Sequence, residues 1–260
     1  MKIAYAGFDL LFAALETLAE DGHEIIKIFS CRTDNVCEFN TEVTSFAESR
    51  GIPITYDRIT EEDLQQLISA GCELLVSAGY YYRIPVTDRI RMINIHPAAL
   101  PVGRGAWPMP VTILRGLRDS GVTIHKIAHG FDEGDILLRR TFEVSQREDL
   151  LSFMDKVNNL IPEMLRKVLS DPDQFFDNAE KQGEGEYWAA PDEHDFVITK
   201  YTPFDEADLI LRAFMGFECI YRDGDTKYAL QYGRAVRGKC DAEKFPVDGG
   251  YIEAKNIRPF

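Results

Sequence analysis

No apolar run in the sequence approaches the roughly 18–20 residues that a membrane span needs, so membrane lipid is not an expected partner. Cysteine is scarce: five in 260 residues, an odd number without a repeating spacing. This argues against a disulfide framework and for a reducing compartment. Cys31 and Cys37, with five residues between them, lack zinc-ligand spacing. The opening MKIAYAGFDLLFAAL is interrupted by Gly7 and Asp9, and no small-residue cleavage site follows. It does not read as a secretory leader, and the expected location is the cytoplasm. Positive charge is also short, with 29 Lys and Arg against 43 Asp and Glu and a net charge of −14. Such a surface repels nucleic-acid backbone and anionic lipid. The Gly-x-Gly-x-x-Gly phosphate fingerprint is missing after the first β-prone run, where Ala6-Gly7-Phe8-Asp9 stands instead. That disfavours a nicotinamide-dependent enzyme. Internal repeats and low-complexity segments are absent as well.

What is present suits a globular α/β chain. Hydrophobic residues make up 45% and charged residues 28%, enough for a core without covalent staples. Lys2–Ala6 reads as a strand ending at Gly7, with Asp9 placed to cap a helix bearing Leu11, Ala14, Leu15 and Leu18. Glu24–Phe29 reads as a strand and Thr41–Ser49 as a helix, leading through Gly51 to Ile52-Pro53-Ile54. Thr60-Glu-Glu-Asp63 has a capping-box pattern ahead of Leu64, Leu67 and Ile68. Strands are expected at Leu74–Ser77, Met92–Ile95, Val122–Ile127 and Ile136–Thr141. Leu150–Leu169 is a long helix, with Leu151, Met154, Val157, Leu160, Ile161, Met164, Leu165 and Val168 at helical spacing. The alternation predicts βαβ units and a mostly parallel, Rossmann-like sheet.

After residue 169 the texture changes. Ser170–Gly185 is polar and reads as a connector. A helix at Phe204–Phe214 follows, then a hairpin of Glu218–Arg222 and Lys227–Gln231 around Asp223-Gly224-Asp225, with further short strands at Arg234–Arg237 and Tyr251–Ala254. The expected division is a catalytic domain over 1–185 and a small α+β or β appendage over 186–260. Residues 200–260 hold ten Lys and Arg and ten Asp and Glu, so the acidic excess lies wholly in residues 1–199.

One stretch concentrates chemistry: Asn94-Ile95-His96-Pro97, then Leu100-Pro101 and Arg104-Gly105. Asn94 and His96 alternate with Ile93 and Ile95, so an amide and an imidazole project to one side of a strand. Pro97 ends that strand, and its carboxyl end is where open α/β sheets bind ligands. The second element is Gly130-Phe131-Asp132-Glu133-Gly134-Asp135, a tight loop between two apolar strands. An amide to donate to an oxyanion, an imidazole to move a proton and a carboxylate to hold the imidazole together suit acyl transfer to nitrogen. His125 and His129 are spaced i, i+4 but fall on a strand and a loop, which disfavours a metal pair; no metal is expected.

The stretch resembles the signature of the folate-dependent formyltransferases: Asn94-Ile95-His96-Pro97, Leu100-Pro101, Arg104-Gly105, Gly121-Val122-Thr123-Ile124 and Asp132-Glu133-Gly134-Asp135-Ile136-Leu137, in order. The resemblance covers roughly residues 1–170 and implies a Rossmann-like catalytic domain. It places Asn94, His96 and Asp132 in the catalytic positions. It implies N10-formyltetrahydrofolate as co-substrate, with pterin contacts from Tyr80, Tyr81, Tyr82, Arg83 and Ile84 and from His129, Gly130, Phe131 and Gly134. Arg104, Phe8 and Asp9 are candidates for substrate binding, Arg104 either for an anionic part of donor or acceptor or as a solvated loop charge. Residues 201–254 resemble a shortened form of the family's C-terminal domain. For the acceptor, residues 31–50 carry two Arg against Asp34, Glu38, Glu42 and Glu48. This favours a small amine, such as an amino sugar on a nucleotide, over the runner-up, methionyl-tRNA. Hydrolysis of formyl-folate by the same residues and a non-catalytic folate- or nucleotide-binding regulator are the other readings.

Overall fold

The computed structural model describes residues 1–35, 39–217, 219–238 and 245–259. In chain order it forms β1 (Lys2–Gly7), α1 (Ala13–Glu20), β2 (Glu24–Phe29), α2 (Thr41–Arg50), β3 (Ile54–Thr55), α3 (Glu61–Ser69), β4 (Leu74–Ala78), β5 (Arg91–His96), β6 (Val102–Arg104) and α4 (Pro108–Leu114). Then come β7 (Asp119–Lys126), β8 (Ile136–Glu143), α5 (Leu150–Ser170), α6 (Pro172–Asp177), β9 (Glu186–Tyr187), α7 (Glu193–Phe196), β10 (Val197–Thr199), α8 (Phe204–Ala213), β11 (Cys219–Asp223), β12 (Thr226–Arg237), β13 (Phe245–Val247) and β14 (Gly250–Pro259). These fall into two units. The first is Met1–Ala106, Ser120–Phe142 and Met154–Trp188; the second is Trp107–Asp119, Glu143–Phe153 and Ala189–Phe260.

The first unit holds a seven-stranded sheet in the order β3-β2-β1-β4-β5-β7-β8. The pairs β2–β3, β1–β2, β1–β4 and β4–β5 are parallel and β5–β7 is antiparallel, the mostly parallel α/β architecture expected from the alternation. β1 and β4 are apolar on both faces because both faces are covered. On one face Ala4, Ala6, Phe29, Leu75 and Met92 join Leu64 and Leu67 of α3 in a single core. Strand order reverses on either side of β1, which puts a topological switch at the carboxyl ends of β1 and β4.

The capping box is present: Thr60 Oγ1 accepts from Asp63 N at 3.2 Å and Asp63 Oδ2 accepts from Thr60 N at 2.8 Å. Asp9 behaves differently from expectation. It opens a short 3₁₀ turn, and its two carboxylate oxygens accept from Glu42 N and Val43 N, each at 3.0 Å. Asp9 therefore caps α2, whose own N-cap Asn40 sends its amide to Cys31 O at 2.7 Å instead. On α5, Phe153, Val157, Ile161, Leu165 and Val168 are buried, but Leu151 is 39% exposed and lies off the apolar stripe. Ser170–Gly185 is more than a connector. Asp171 caps α6 through Gln174 N at 3.1 Å, and Glu180 bridges to Ile136.

The second unit holds a five-stranded sheet in the order β10-β11-β12-β14-β13, antiparallel except for β10–β11. The hairpin around Asp223-Gly224-Asp225 forms as expected, with Glu218 outside the described residues. The two strands expected at Lys227–Gln231 and Arg234–Arg237 are one, β12. Gly233, which looks like a break, lets that strand pass close to α8: a Cβ there would come within 2.6 Å of Leu211. Helix α4 escaped the sequence reading because Pro108 and Pro110 look like loop formers, yet both sit in its first turn, where no intrahelical donor is lost.

Candidate active site

β5 and β7 pair with Asn94 opposite His125 and His96 opposite Thr123. The antiparallel register brings side chains from two strands to one face. The loop from β7 to β8 carries Asp132 at φ 55°, a left-handed conformation that aspartate tolerates better than most residues. Four polar groups converge there. Asn94 Nδ2 lies 3.2 Å from Asp132 Oδ1 and 3.1 Å from His125 Nε2. Asp132 Oδ1 is 3.5 Å from His96 Nδ1 and 3.4 Å from His125 Nε2. Asp132 Oδ2 accepts from Gly105 N at 2.9 Å.

Backbone groups set the imidazole orientations. His96 Nε2 donates to Gly103 O at 2.7 Å, which leaves Nδ1 directed at Asp132. His125 Nδ1 donates to Lys126 O at 2.8 Å, which leaves Nε2 toward Asn94 and Asp132. Burial pushes the His96 imidazole below its ordinary value, although the Asp132 charge opposes this. Burial would raise the Asp132 carboxyl. The charge of His96, the nearby His125 side chain and the Gly105 N–H outweigh it and hold Asp132 well below the usual carboxylate range. The site thus pairs a proton-poor imidazole with a fixed carboxylate. Both Asn94 amide hydrogens are engaged by protein partners, so one must change partner before it can donate to anything else.

The other expected site residues are placed as follows. Tyr80 accepts from Ile59 N at 3.1 Å and donates to Asp57 O at 3.2 Å, which ties it to the protein's own backbone. The Tyr81 ring meets the Phe8 ring at a tilt of 50° with centroids 4.7 Å apart, and the Arg58 guanidinium lies 4.9 Å over Tyr82. Ile84 is buried and joins the α3 core. The Arg83 guanidinium sits 5.4 Å over the Phe131 ring, which joins loop 80–84 to loop 129–134; Phe131 itself is 47% exposed. Gly134 O accepts from Gln182 Nε2 at 2.6 Å, and His129 is exposed, so it is not brought beside the buried His125. Arg104 donates through Nε and Nη2 to Gln182 Oε1 at 3.0 and 2.9 Å. Phe8 is 2% exposed, and the Asp9 carboxylate caps α2.

Two residues at the site were not picked out as such from the sequence. In the sequence His125 stands out only through its i, i+4 spacing to His129. The alternation Thr123-x-His125 on β7, set against Asn94-x-His96 on β5, is the pattern that could have found it. Gln182 lies in the polar stretch after α6, where no periodicity marks it.

A family model described as formyl transferase matches residues 19–169. Methionyl-tRNA formyltransferase of Rickettsia bellii is 30% identical over 186 residues, which cover 67% of this chain and 61% of that protein. Two further curated relatives of the same name, from Ehrlichia ruminantium strains, are matched over 50% of their length, so the chain spans about half to three fifths of these relatives. Among solved structures, HypX from Aquifex aeolicus superposes with a TM-score of 0.78 at 15% identity, covering 99% of this chain and 44% of that one. The N-formyltransferase from Helicobacter canadensis, in complex with folinic acid and dTDP-3-aminofucose, gives 0.65 at 17% identity, with 98% and 99% covered. At these identities the two structures establish a shared fold.

Proposed function

The chain belongs to the formyl transferase family, and from that premise we propose that it moves a formyl group from N10-formyltetrahydrofolate to a primary amine. The observation that carries this reading is the convergence of the Asn94 amide, the His96 imidazole and the Asp132 carboxylate. The neutral amine attacks the formyl carbon and forms the new C–N bond. Asn94 transfers one amide hydrogen from Asp132 to the developing oxyanion. His96 Nδ1 takes the amine proton, and Asp132 stabilises the imidazolium, which faces the same oxyanion. The proton then passes to the folate nitrogen as its bond to the formyl carbon breaks. The amine exchanges one hydrogen for the formyl group, and the folate receives that hydrogen.

The folate would lie between loops 80–84 and 129–134. The exposed Phe131 ring and the backbone of Tyr80, Tyr81, Tyr82, Arg83, Ile84, His129, Gly130 and Gly134 would face the pterin. We assign the chemistry to residues 1–185 and treat 186–260 as a shortened C-terminal domain. For the acceptor, the names of the curated relatives support the α-amino group of methionyl-tRNA. A second reading, a small amine such as a nucleotide-linked amino sugar, is favoured by the net charge of −14 and by the acidic residues Asp34, Glu42 and Glu48. Glu38, which also counts toward that acidity, lies outside the described residues.

The deciding experiment supplies formyl-folate with methionyl-tRNA or with a nucleotide-linked amino sugar and follows the mass gain of one CO on the amine. A gel shift of the tRNA across a salt series accompanies it, and salt-sensitive binding supports the tRNA reading. Formate release without any amine would replace transfer by hydrolysis. Unimpaired turnover in His96→Ala would remove the chemistry from this site.

A further inference from the structure

Segment 180–188 bonds to Pro101, Arg104, Asp132, Gly134 and Ile136, residues that flank the backbone groups orienting His96 and Asp132. Glu180 exchanges two hydrogen bonds with Ile136, each at 2.8 Å. Glu186 N donates to Pro101 O at 3.2 Å, and Trp188 N donates to Arg104 O at 2.7 Å. β9 pairs with β6 alongside. The approach is close: at Gly105, with φ 106°, a Cβ would come within 2.4 Å of the Trp188 carbonyl oxygen. At the centre is one carboxamide. Gln182 Nε2 donates to Asp132 O at 2.9 Å and to Gly134 O at 2.6 Å, while Oε1 accepts both bonds from Arg104.

The partners on each side leave little choice of residue. Two carbonyls can only accept, and a guanidinium can only donate. A carboxylate in place of the amide has no donor for the carbonyls, and an apolar side chain serves neither side. Through these bonds Gln182 joins loop 130–134 to the peptide units on either side of Arg104. Gly103 O holds His96 Nε2, and Gly105 N holds Asp132 Oδ2. Asp132 is thus held from two directions, its side chain by Gly105 and its main chain by Gln182, in a backbone conformation that non-glycine residues seldom adopt without such support.

We infer that Gln182 is a positioning residue of the site, and that segment 180–188 is a strap holding the His96 loop and the Asp132 loop in register. Its consequence for turnover rests on the formyl-transfer reading; its consequence for geometry does not. In Gln182→Ala, kcat falls about 10–100-fold with KM for folate and amine unchanged, because misplacement harms the transition state more than substrate binding. Gln182→Glu keeps the Arg104 bonds but sets a carboxylate against two carbonyl oxygens. Protonation restores a donor, so its rate relative to the unaltered protein rises as pH falls. A merely structural role would not produce that profile.

Amide hydrogen exchange supplies the readout that does not depend on activity. The Gly105 amide exchanges about tenfold faster in Gln182→Ala, while amides of β1 and β4 keep their protection. Undiminished kcat with unaltered Gly105 protection overturns the inference. So does acceleration spread evenly over β1 and β4, which marks general destabilisation. If Gln182→Ala does not fold, the pH profile and Gly105 exchange of Gln182→Glu decide. If the unaltered protein transfers no formyl group but Gly105 still loses protection selectively, the positioning role stands and the reaction assigned to the site falls.

Discussion

Two aspartates, one in each unit, are withdrawn from solvent to the same degree and held by opposite means. The Asp132 side chain is 10% exposed and the Asp208 side chain 12% exposed. Asp208, on α8, takes Arg212 Nε at 3.0 Å and a two-pronged contact from Arg147 at 3.0 and 3.2 Å. A guanidinium's planar fork matches a carboxylate in geometry, and this cluster serves to hold elements together. Asp132 is surrounded by two imidazoles, an amide and one backbone N–H. Burial favours the neutral form of the His96 imidazole, which can then accept a proton, and the amide can change partner. Equal burial therefore signals nothing by itself; on the proposed reading, the proton-exchanging capacity of the partners separates a reactive carboxylate from a structural one.

The largest expected effect tests that separation directly. Asp132→Asn keeps an acceptor for Gly105 N but removes the charge facing His96, and formyl transfer drops about 10²–10⁴-fold with the thermal midpoint nearly unchanged. Asp208→Ala does the reverse. It leaves Arg212, whose side chain is 15% exposed, without its carboxylate, and denaturant unfolding should report a loss of about 2–3 kcal/mol with kcat intact. If both substitutions moved activity and stability together, the distinction would collapse.

Acid should divide the two clusters next. His96 and Asp132 both lose protons more readily in the folded chain than in the unfolded one. As pH falls below about 6.5, the unfolded chain binds the His96 proton first and stability declines, and Asp132 adds to the decline below about 3.9. The acid limb of kcat/KM lies below the ordinary imidazole value for the same reason. In His96→Asn the decline that starts near 6.5 becomes shallower in a stability–pH profile, with the part due to the lowered His23 imidazole remaining, whereas Asp208→Ala leaves it in place. The smallest effect belongs to Arg147→Ala. Its side chain is 75% exposed, so solvent already screens the pair and the loss stays under about 1 kcal/mol by thermal denaturation.

Legibility followed the range of the interactions. Asn94 and His96 could be read together because a strand's two-residue period puts them on one face, and the Thr60–Asp63 cap because its partners are three residues apart. Asp132 could be nominated through the motif around it, but its bonds to Asn94 and Gly105 span 38 and 27 residues and depend on how β5, β7 and the loops pack. Asp9 was misjudged because its hydrogen-bond partners, Glu42 and Val43, are not on the turn it opens but on a helix 33 and 34 residues away. Gln182 escaped because a lone amide in a polar stretch has no pattern until residues 104 and 132 are beside it.

By itself, then, the sequence determined β1, β2, β4, β5, β7 and β8 with helices α1, α2, α3 and α5, the mostly parallel sheet, and the amide-and-imidazole pair at the end of β5. Periodicity, caps and turn residues act over a few positions, and a linear reading captures them. Only the tertiary structure decided that His125 joins the Asp132 cluster, that Asp9 caps α2 and that Gln182 binds two loops. Those roles come from groups brought together across tens of residues, where burial leaves each polar atom only the partners that folding happens to place within reach.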